Sequence, residues 1–284
     1  IHTHGYASDD FGRVSAKILD IPIIIHTHDE NINYPFYQNV ADLILKPFTN
    51  KAIAVSGNVK TSCSIKRRIN EKNISIFHNG IQLEHYVNQN QDLISEQKNK
   101  FGIKPDSIII GSVGRLRIEK GIKYLIEAAP KILNVFPNVV FFIAGDGPQR
   151  EDLKSLAKEL KVEDNIIFAG FCYDIPAVLS IIDIFVSPSL TEGSPQGILE
   201  AMALMKPIVA TNFGGVKEIL IDNKTGLLIP SKNPEALAEK VINLLKDESK
   251  QQELSKNAAE EVKNYDVKKY VKKLGDFYLE ILGK

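Results

Sequence analysis

The sequence predicts an α/β fold with parallel sheets and two domains. Short apolar runs alternate with helical patterns from one end of the 284-residue chain to the other, which is typical of helices packed on parallel strands. One polar segment, residues 87–92 with the sequence VNQNQD, interrupts the alternation and holds almost no apolar side chain. Because such a segment cannot contribute to a core, it is the best candidate for a linker. We therefore expect one domain over residues 1–88 and a second over residues 89–265.

The second domain has the clearer series of elements. In the first, apolar runs predict strands at residues 21–25, 52–55 and 74–77, with helices at 8–19, 40–47 and 59–68. In the second, six apolar runs, each followed by a helix or helical turn, predict a doubly wound domain. Its strands are expected at residues 108–113, 139–144, 166–169, 182–186, 208–210 and 226–229. Further helices are predicted at residues 93–101, 234–245, 249–264 and 266–282.

Composition excludes few functions but argues against two kinds of partner. The chain carries 35 basic and 35 acidic side chains, so nothing draws it as a whole to nucleic acid or to an anionic membrane. Cys63 and Cys172 match no disulfide or metal spacing, which suits a reducing compartment. We therefore expect a cytoplasmic protein. One basic cluster, Lys66, Arg67 and Arg68, is expected on a solvated helix face, although a peripheral contact with the inner membrane face stays open.

The most informative segment for function is residues 187–201, SPSLTEGSPQGILEA. It follows an apolar run and begins a helix, so the carboxyl end of a strand meets a helix amino terminus there. In open α/β sheets such a junction binds ligands, because free helix amides attract an anion such as a diphosphate. The amides of Ser194, Gln196 and Gly197 can bind the phosphates, whereas Pro195 has no amide proton.

Two glutamates frame this junction. Glu192 lies in the turn, and Glu200 lies about one helical turn into the helix. Both can therefore face one polyhydroxylated ligand. The alternative is that Glu192 is an ordinary loop charge and that Glu200 stabilises the first turn of its helix.

A second candidate anion site lies at residues 111–121, GSVGRLRIEKG, after the first strand of the second domain. Gly114 permits close backbone approach, and Arg115 and Lys120 place two cations where a departing diphosphate needs neutralising. Because strand ends on one sheet edge converge, both segments can bind one diphosphate. A nicotinamide-type loop is the alternative, but no G-x-G-x-x-G is present. Gly145, after the next strand, either forms a tight turn or takes part in this site.

Four motifs follow one another over more than half of the chain: GRLRIEKG, AGDGP, SPSLTEGSPQGILEAMALMKPIVATNFGGVKEIL and GLLIP. With these motifs the chain resembles the family 4 glycosyltransferases, nucleotide-sugar enzymes of the GT-B fold, in which two Rossmann-like domains face each other across a cleft. The resemblance implies that the final helix, residues 266–284, packs back on the first domain. It also implies that this first, acceptor-side domain is incomplete at its amino terminus.

The resemblance implies a role for each site residue. Glu192 and Glu200 match the family's E-x7-E pair, so that Glu192 contacts the transferred sugar and Glu200 holds the ribose hydroxyls, while Arg115 and Lys120 neutralise the diphosphate. Transfer then retains the anomeric configuration, and the departing phosphate helps to deprotonate the acceptor. We expect no metal or other cofactor, because two cations can do the work of a divalent ion.

Two H-T-H triplets place four histidines in the first domain: His2, His4, His26 and His28. Alternate strand residues share a face, so the histidines of a triplet can reach one zinc ion. The resemblance favours another role, because IIHTHD matches a family motif whose histidine, here His28, faces the donor sugar.

The expected function is therefore hexosyl transfer from a nucleotide diphosphate sugar, expected to be UDP-linked, to a hydroxyl of a glycan or glycolipid in cell-surface polysaccharide synthesis. Two alternatives stay open. A sugar-nucleotide epimerase of similar fold is disfavoured by the E-x7-E arrangement. A non-catalytic nucleotide-sugar-binding subunit is disfavoured because Glu192, Arg115, Lys120 and His28 occur together.

Overall fold

The computed structural model describes residues 1–29, 36–86 and 91–283. These residues group into two compact units. Unit 1 comprises the described residues of Ile1–Gly80, Thr191–Pro195 and Tyr265–Lys284, and unit 2 comprises those of Ile81–Leu190 and Gln196–Asn264. Each unit contains one parallel sheet with helices, which confirms the predicted α/β class.

The elements follow in chain order. The first part of the chain holds β1 (His2–His4), α1 (Tyr6–Leu19), β2 (Ile24–Thr27), α2 (Phe36–Leu45), β3 (Lys51–Ala54), α3 (Gly57–Lys66) and β4 (Ile74–Ile76). The middle part holds α4 (Gln91–Lys100), β5 (Ile108–Val113), α5 (Ile122–Leu133), β6 (Val139–Ala144), α6 (Arg150–Glu159), β7 (Ile166–Gly170), α7 (Ile175–Ser180), β8 (Ile184–Ser187), α8 (Gln196–Ala203), β9 (Ile208–Thr211), α9 (Val216–Ile219) and β10 (Leu227–Ile229). The last part holds α10 (Pro234–Lys246), α11 (Glu248–Glu261) and α12 (Val267–Ile281).

Unit 1 is built on a four-stranded sheet in the order β1-β2-β3-β4. The central strands β2 and β3 are buried on both faces, and β2 buries two polar residues, His26 and Thr27, beside its two isoleucines. The sheet begins one strand earlier than predicted, because a three-residue strand such as β1 is too short for a periodic signal. β2 begins at Ile24 rather than at residue 21, since Pro22 cannot donate a hydrogen bond to the ladder.

Helix α12 covers one face of this sheet. The Phe277 ring packs with Ile24, Ile53 and Phe77 in a buried cluster. The Nζ atom of Lys273 lies 4.3 Å from the centre of the Phe77 ring. The last helix of the chain therefore belongs to unit 1.

A buried ionic cluster lies among α1, α2 and the end of α3, and it corrects one prediction. Arg67 is 2% exposed; its guanidinium donates to Asp9 Oδ2 at 2.6 Å and to Asp42 at 3.3 Å. Arg13, which is also buried, donates to Asp42. The expectation of a solvated basic face at residues 66–68 is thus wrong for Arg67. Two carboxylates from the neighbouring helices supply the partners that a buried charge requires.

Unit 2 contains a six-stranded sheet in the order β10-β9-β8-β5-β6-β7. The chain starts at β5 in the centre, adds β6 and β7 on one side, and then adds β8, β9 and β10 on the other. All described pairs are parallel, as the predicted doubly wound domain requires. In this topology the ligand crevice lies at the carboxyl ends of the strands where the order reverses, which here is between β5 and β8.

The units differ from the predicted domains in three places. Residues 81–86 group with unit 2, whereas the loop Thr191–Pro195 and Tyr265 group with unit 1. Most of the predicted linker, residues 87–92, lies outside the described residues, and its last two residues begin α4. Among the helices that the structure describes, none is long and apolar enough to cross a bilayer.

Candidate functional site

The reversal of strand order in unit 2 brings two predicted anion-binding segments together. β5 and β8 pair directly, Gly114 follows β5, and α8 follows the loop after β8. A Cβ built on Gly197 would lie 3.6 Å from the carbonyl oxygen of Val113 and 3.3 Å from Cζ of Phe185. The first turn of α8 therefore lies against the end of β5, where its free amides can meet an anion.

Gly145 allows the loops after β5 and β6 to touch. Its φ is +135°, and a Cβ at this position would collide with the carbonyl oxygen of Gly114. The N–H of Gly114 in turn donates to the carbonyl of Ala144 at 2.9 Å. Gly145 is thus required for the packing of this turn, and its part in donor binding stays a prediction.

Lys120 lies at the same sheet edge. It ends a 3₁₀ turn, Ile118–Lys120, and its Cδ and Cε atoms lie 3.9 Å from a Cβ built on Gly114. The turn is fixed by Gly121, whose φ is +62° and whose Cβ would collide with the carbonyl oxygen of Pro188. The Arg115 side chain, directly after Gly114, is exposed. Both predicted diphosphate partners therefore follow the central strand β5.

Glu200 lies in α8 and has a partner that no sequence pattern predicts. The hydroxyl of Tyr86 donates to Oε1 of Glu200 at 2.9 Å across a separation of 114 residues. Burial raises the pKa of Glu200, and the hydrogen bond from Tyr86 opposes this shift. Burial and the neighbouring carboxylate also raise the pKa of Tyr86. Tyr86 therefore keeps its proton at neutral pH and orients Glu200.

The loop that carries Glu192 packs inside unit 1. A Cβ built on Gly193 would collide with the carbonyl oxygen of His28 and lie 3.2 Å from Cγ2 of Val59. Glu192, the preceding residue, is half-buried, and the hydroxyl oxygen of Ser194 is buried without a hydrogen-bond partner among the described residues. The structure therefore brings Glu192 and His28, two predicted catalytic residues, to neighbouring segments.

The four histidines of β1, β2 and the residue directly after β2 lie with their rings close together. Their neighbouring ring centres are between 4.3 and 5.4 Å apart. Nδ1 of His4 lies 3.0 Å from Nε2 of His28, and Nδ1 of His2 lies 2.6 Å from the hydroxyl of Tyr278. Burial, followed by the like charges of the other histidines, lowers the pKa of His26 to about 3 and that of His2 to about 4. It also lowers the pKa of His28.

The predicted site residues thus fall into two groups. Those in unit 2 are Gly114, Arg115, Lys120, Gly145, Gln196, Gly197 and Glu200. Those in unit 1 are His28, Glu192 and Ser194. Sequence analysis missed Tyr86, because no local pattern marks a hydrogen bond between residues so far apart in the chain.

Comparison with known proteins identifies the family of this chain. The family model of the group 1 glycosyl transferases matches residues 94–261. A UDP-Gal:alpha-D-GlcNAc-diphosphoundecaprenol alpha-1,3-galactosyltransferase of Escherichia coli is 27% identical over 99% of this chain and 75% of its own. An uncharacterized glycosyltransferase of Methanocaldococcus jannaschii is 32% identical over 92% of this chain and 70% of its own.

A solved structure has the same fold. HepE of Anabaena in complex with UDP superimposes with a TM-score of 0.89 and 22% sequence identity, covering 98% of this chain and 78% of that one. The predicted GT-B fold, with two Rossmann-like domains, is confirmed. Since a family model covers more than half of the sequence and a relative above 30% identity spans nearly all of it, the chain belongs to the group 1 glycosyl transferases and is a glycosyltransferase.

Proposed function

We propose that this chain is a retaining, family 4 glycosyltransferase that moves a hexose from UDP to a hydroxyl of a glycan or a lipid-linked glycan. The observation that carries the proposal lies at the carboxyl edge of the sheet in unit 2. There the first turn of α8, with Gly197, adjoins the end of β5 beside Lys120, and Glu200 lies one turn further along the same helix. This edge is the ligand crevice of a doubly wound domain.

The nucleotide half of the donor is bound by unit 2. The amides of Gln196 and Gly197 and the positive end of the α8 dipole hold a phosphate. Lys120 and Arg115 neutralise the negative charge that develops on the diphosphate as the bond to the sugar breaks. Glu200, oriented by Tyr86, accepts hydrogen bonds from the ribose hydroxyls. In this proposal no metal ion is required at the diphosphate.

For the sugar half we propose the roles that the family resemblance implies for Glu192 and His28. As the bond from C1 to the phosphate oxygen breaks, positive charge develops on the sugar ring, and the Glu192 carboxylate stabilises it. His28 donates a hydrogen bond to a sugar hydroxyl. The departing phosphate oxygen accepts the proton of the acceptor hydroxyl, and the new bond forms on the same face of C1, so that the anomeric configuration is retained.

Donor and acceptor are proposed from relatives. The E. coli relative is named for transfer from UDP-galactose to a diphosphoundecaprenol-linked sugar, and HepE was solved with UDP. A relative from Acholeplasma laidlawii, 27% identical over the whole of this chain, is an alpha-monoglucosyldiacylglycerol synthase. These names favour a UDP-sugar donor, a glycan or glycolipid acceptor, and peripheral contact with a membrane that presents such acceptors.

The diphosphate assignment is tested with Arg115→Ala and Lys120→Ala. Each variant removes one charged partner of the leaving group. Each should therefore weaken UDP binding and slow transfer, with a loss of roughly 2–4 kcal/mol in transition-state stabilisation. Binding is measured by calorimetry and transfer by product formation. Lys154→Ala, an exposed lysine on α6, is the matched control and should change neither quantity. UDP affinity and transfer rate unchanged in both test variants would overturn the assignment.

The same assay separates the rival functions. The chain alone is incubated with a UDP-sugar and a hydroxyl acceptor, and the product is examined by NMR. A product with the anomeric configuration of the donor supports retaining transfer. An inverted product contradicts retention, an altered sugar still attached to UDP indicates an epimerase, and UDP-sugar binding without any turnover indicates a binding subunit.

A further inference from the structure

The four histidines of unit 1 form a two-by-two array on one face of the sheet. The parallel register pairs His4 with His26 and His2 with Ile24. Because side chains two residues apart on a strand share a face, His2 and His4 lie beside His26 and His28. The ladder between β1 and β2 therefore fixes the backbone positions of His2, His4 and His26, and His28 follows directly after β2.

One member of the array lacks any hydrogen bond. His26 is 1% exposed, and neither of its ring nitrogens has a partner among the described residues. Nε2 of His2 is buried in the same state. A buried ring nitrogen without a partner loses its bond to water and gains none in return. Among the described residues the array thus contains three buried ring nitrogens without a partner, and one bound ion would engage two of them, Nε2 of His2 and one nitrogen of His26.

A contact with Tyr278 orients the His2 ring. The Tyr278 hydroxyl of α12 lies 2.6 Å from its Nδ1, which leaves Nε2 directed away from that bond. Metal-bound histidines commonly use one nitrogen as ligand and hold the other in such a contact, which fixes the ring. The array therefore differs from a simple stack of rings, because the His2 ring is also held by the Tyr278 hydroxyl from outside the array.

We propose that His2, His4 and His26 bind one divalent transition-metal ion, with Zn²⁺ as the best match to a set of imidazoles. One ligand nitrogen from each of the three lies within 4.8 Å of those of the other two. Around tetrahedral zinc, with bonds of about 2.0–2.1 Å, nitrogens lie about 3.3 Å apart. Rotation of the side chains can move the ring nitrogens by about an ångström and bring them to this spacing, while the strand backbone stays in place. A water molecule completes the coordination, because the proposed function assigns His28 to the sugar.

This ion is distinct from any metal at the diphosphate. Its ligands all belong to β1 and β2 of unit 1, whereas the proposed diphosphate partners belong to unit 2. It ties the short edge strand β1 to β2 and, through Tyr278, to α12. The inference does not rest on the proposed transfer reaction, since metal binding is measured without donor or acceptor.

The test titrates Zn²⁺ and Co²⁺ into the chelator-treated chain, prepared without a histidine tag. We expect one equivalent to bind and the Co²⁺ form to show the visible absorption of a tetrahedral site. His4→Gln and His26→Gln should each weaken binding at least tenfold, and Tyr278→Phe about tenfold through the orientation of His2. His85→Gln, an exposed histidine outside the array, is the matched control and should leave the affinity unchanged.

Circular dichroism checks that each variant folds. Should His26→Gln fail to fold, His4→Gln decides, because the His4 side chain is exposed and its loss leaves no buried gap. The proposal is overturned if the wild-type chain binds no Zn²⁺ at millimolar concentration. It is overturned equally if His4→Gln binds Zn²⁺ as tightly as the wild type does.

Discussion

At the scale of single residues, the two glutamates of the E-x7-E pair lie in different surroundings. Glu200 is part of α8, accepts a hydrogen bond from Tyr86 and has its pKa raised by burial. Glu192 lies in a loop that packs in unit 1 against the His28 backbone. Their spacing in the sequence suggests one shared ligand, and the structure places them in different units.

Two substitutions separate these roles. Glu200→Ala removes the ribose contact and should weaken the binding of free UDP by about 1.5–3 kcal/mol, the range for a hydrogen bond to a charged group. Glu192→Ala should leave UDP affinity unchanged and lower kcat, because its contact is made to the sugar in the transition state. Calorimetry with UDP and steady-state kinetics measure the two effects. Equal losses of UDP affinity would show that one glutamate is misassigned.

At the scale of elements, the carboxyl edge of the sheet in unit 2 depends on turns at glycines, where any residue with a side chain would collide with the neighbouring backbone. Gly145 holds the loop after β6 against the loop after β5, at a φ that residues with a Cβ rarely adopt. Gly275, in the middle of α12, has no atom within 4 Å of a built Cβ and no positive φ. The same substitution is therefore expected to act in opposite directions at the two sites.

Gly145→Ala should destabilise unit 2 by about 1–3 kcal/mol, the cost of strained backbone, and should also weaken UDP binding by displacing Gly114. Gly275→Ala should stabilise its helix by about 0.5–1 kcal/mol, because alanine loses less backbone freedom on folding. Calorimetric unfolding scans of the two variants check these signs. A Gly145→Ala chain as stable as the wild type would mean that the turn adapts without strain.

At the scale of the whole molecule, the two units differ in how much apolar surface they bury. A single large cluster runs through unit 2 from β5 to α11. The clusters of unit 1 are smaller, and apolar side chains on α1 and α2 stay exposed, with Phe11 at 77% and Phe36 at 83%. Both edge strands of its sheet, β1 and β4, are three residues long.

Hydrogen exchange should therefore separate the units. Amides of the strands of unit 2, from β5 to β10, should exchange slowly, and those of β2, β3 and β4 in unit 1 should exchange faster, because local opening exposes less buried apolar surface there. Mass spectrometry of peptides from the native chain measures both. Equal protection in both units would contradict this expectation.

Local sequence patterns predict the class of the fold and most of the turns at the carboxyl edge of the sheet in unit 2. Alternating apolar runs predicted the six strands of unit 2, since periodicity is a local property of the chain. Glycine and proline at strand ends marked the turns, and these turns placed Gly114, Lys120 and Gly197 at one sheet edge. The resemblance to known motifs added roles that spacing alone left open.

Only the tertiary structure decided which distant residues meet. The bond between Tyr86 and Glu200, the burial of Arg67 between two carboxylates and the register that sets His4 beside His26 all join segments far apart in the chain. Local patterns carry no information about strand order or register, because these depend on how whole elements pack. That packing turned two H-T-H triplets into one array and gave Glu200 a partner.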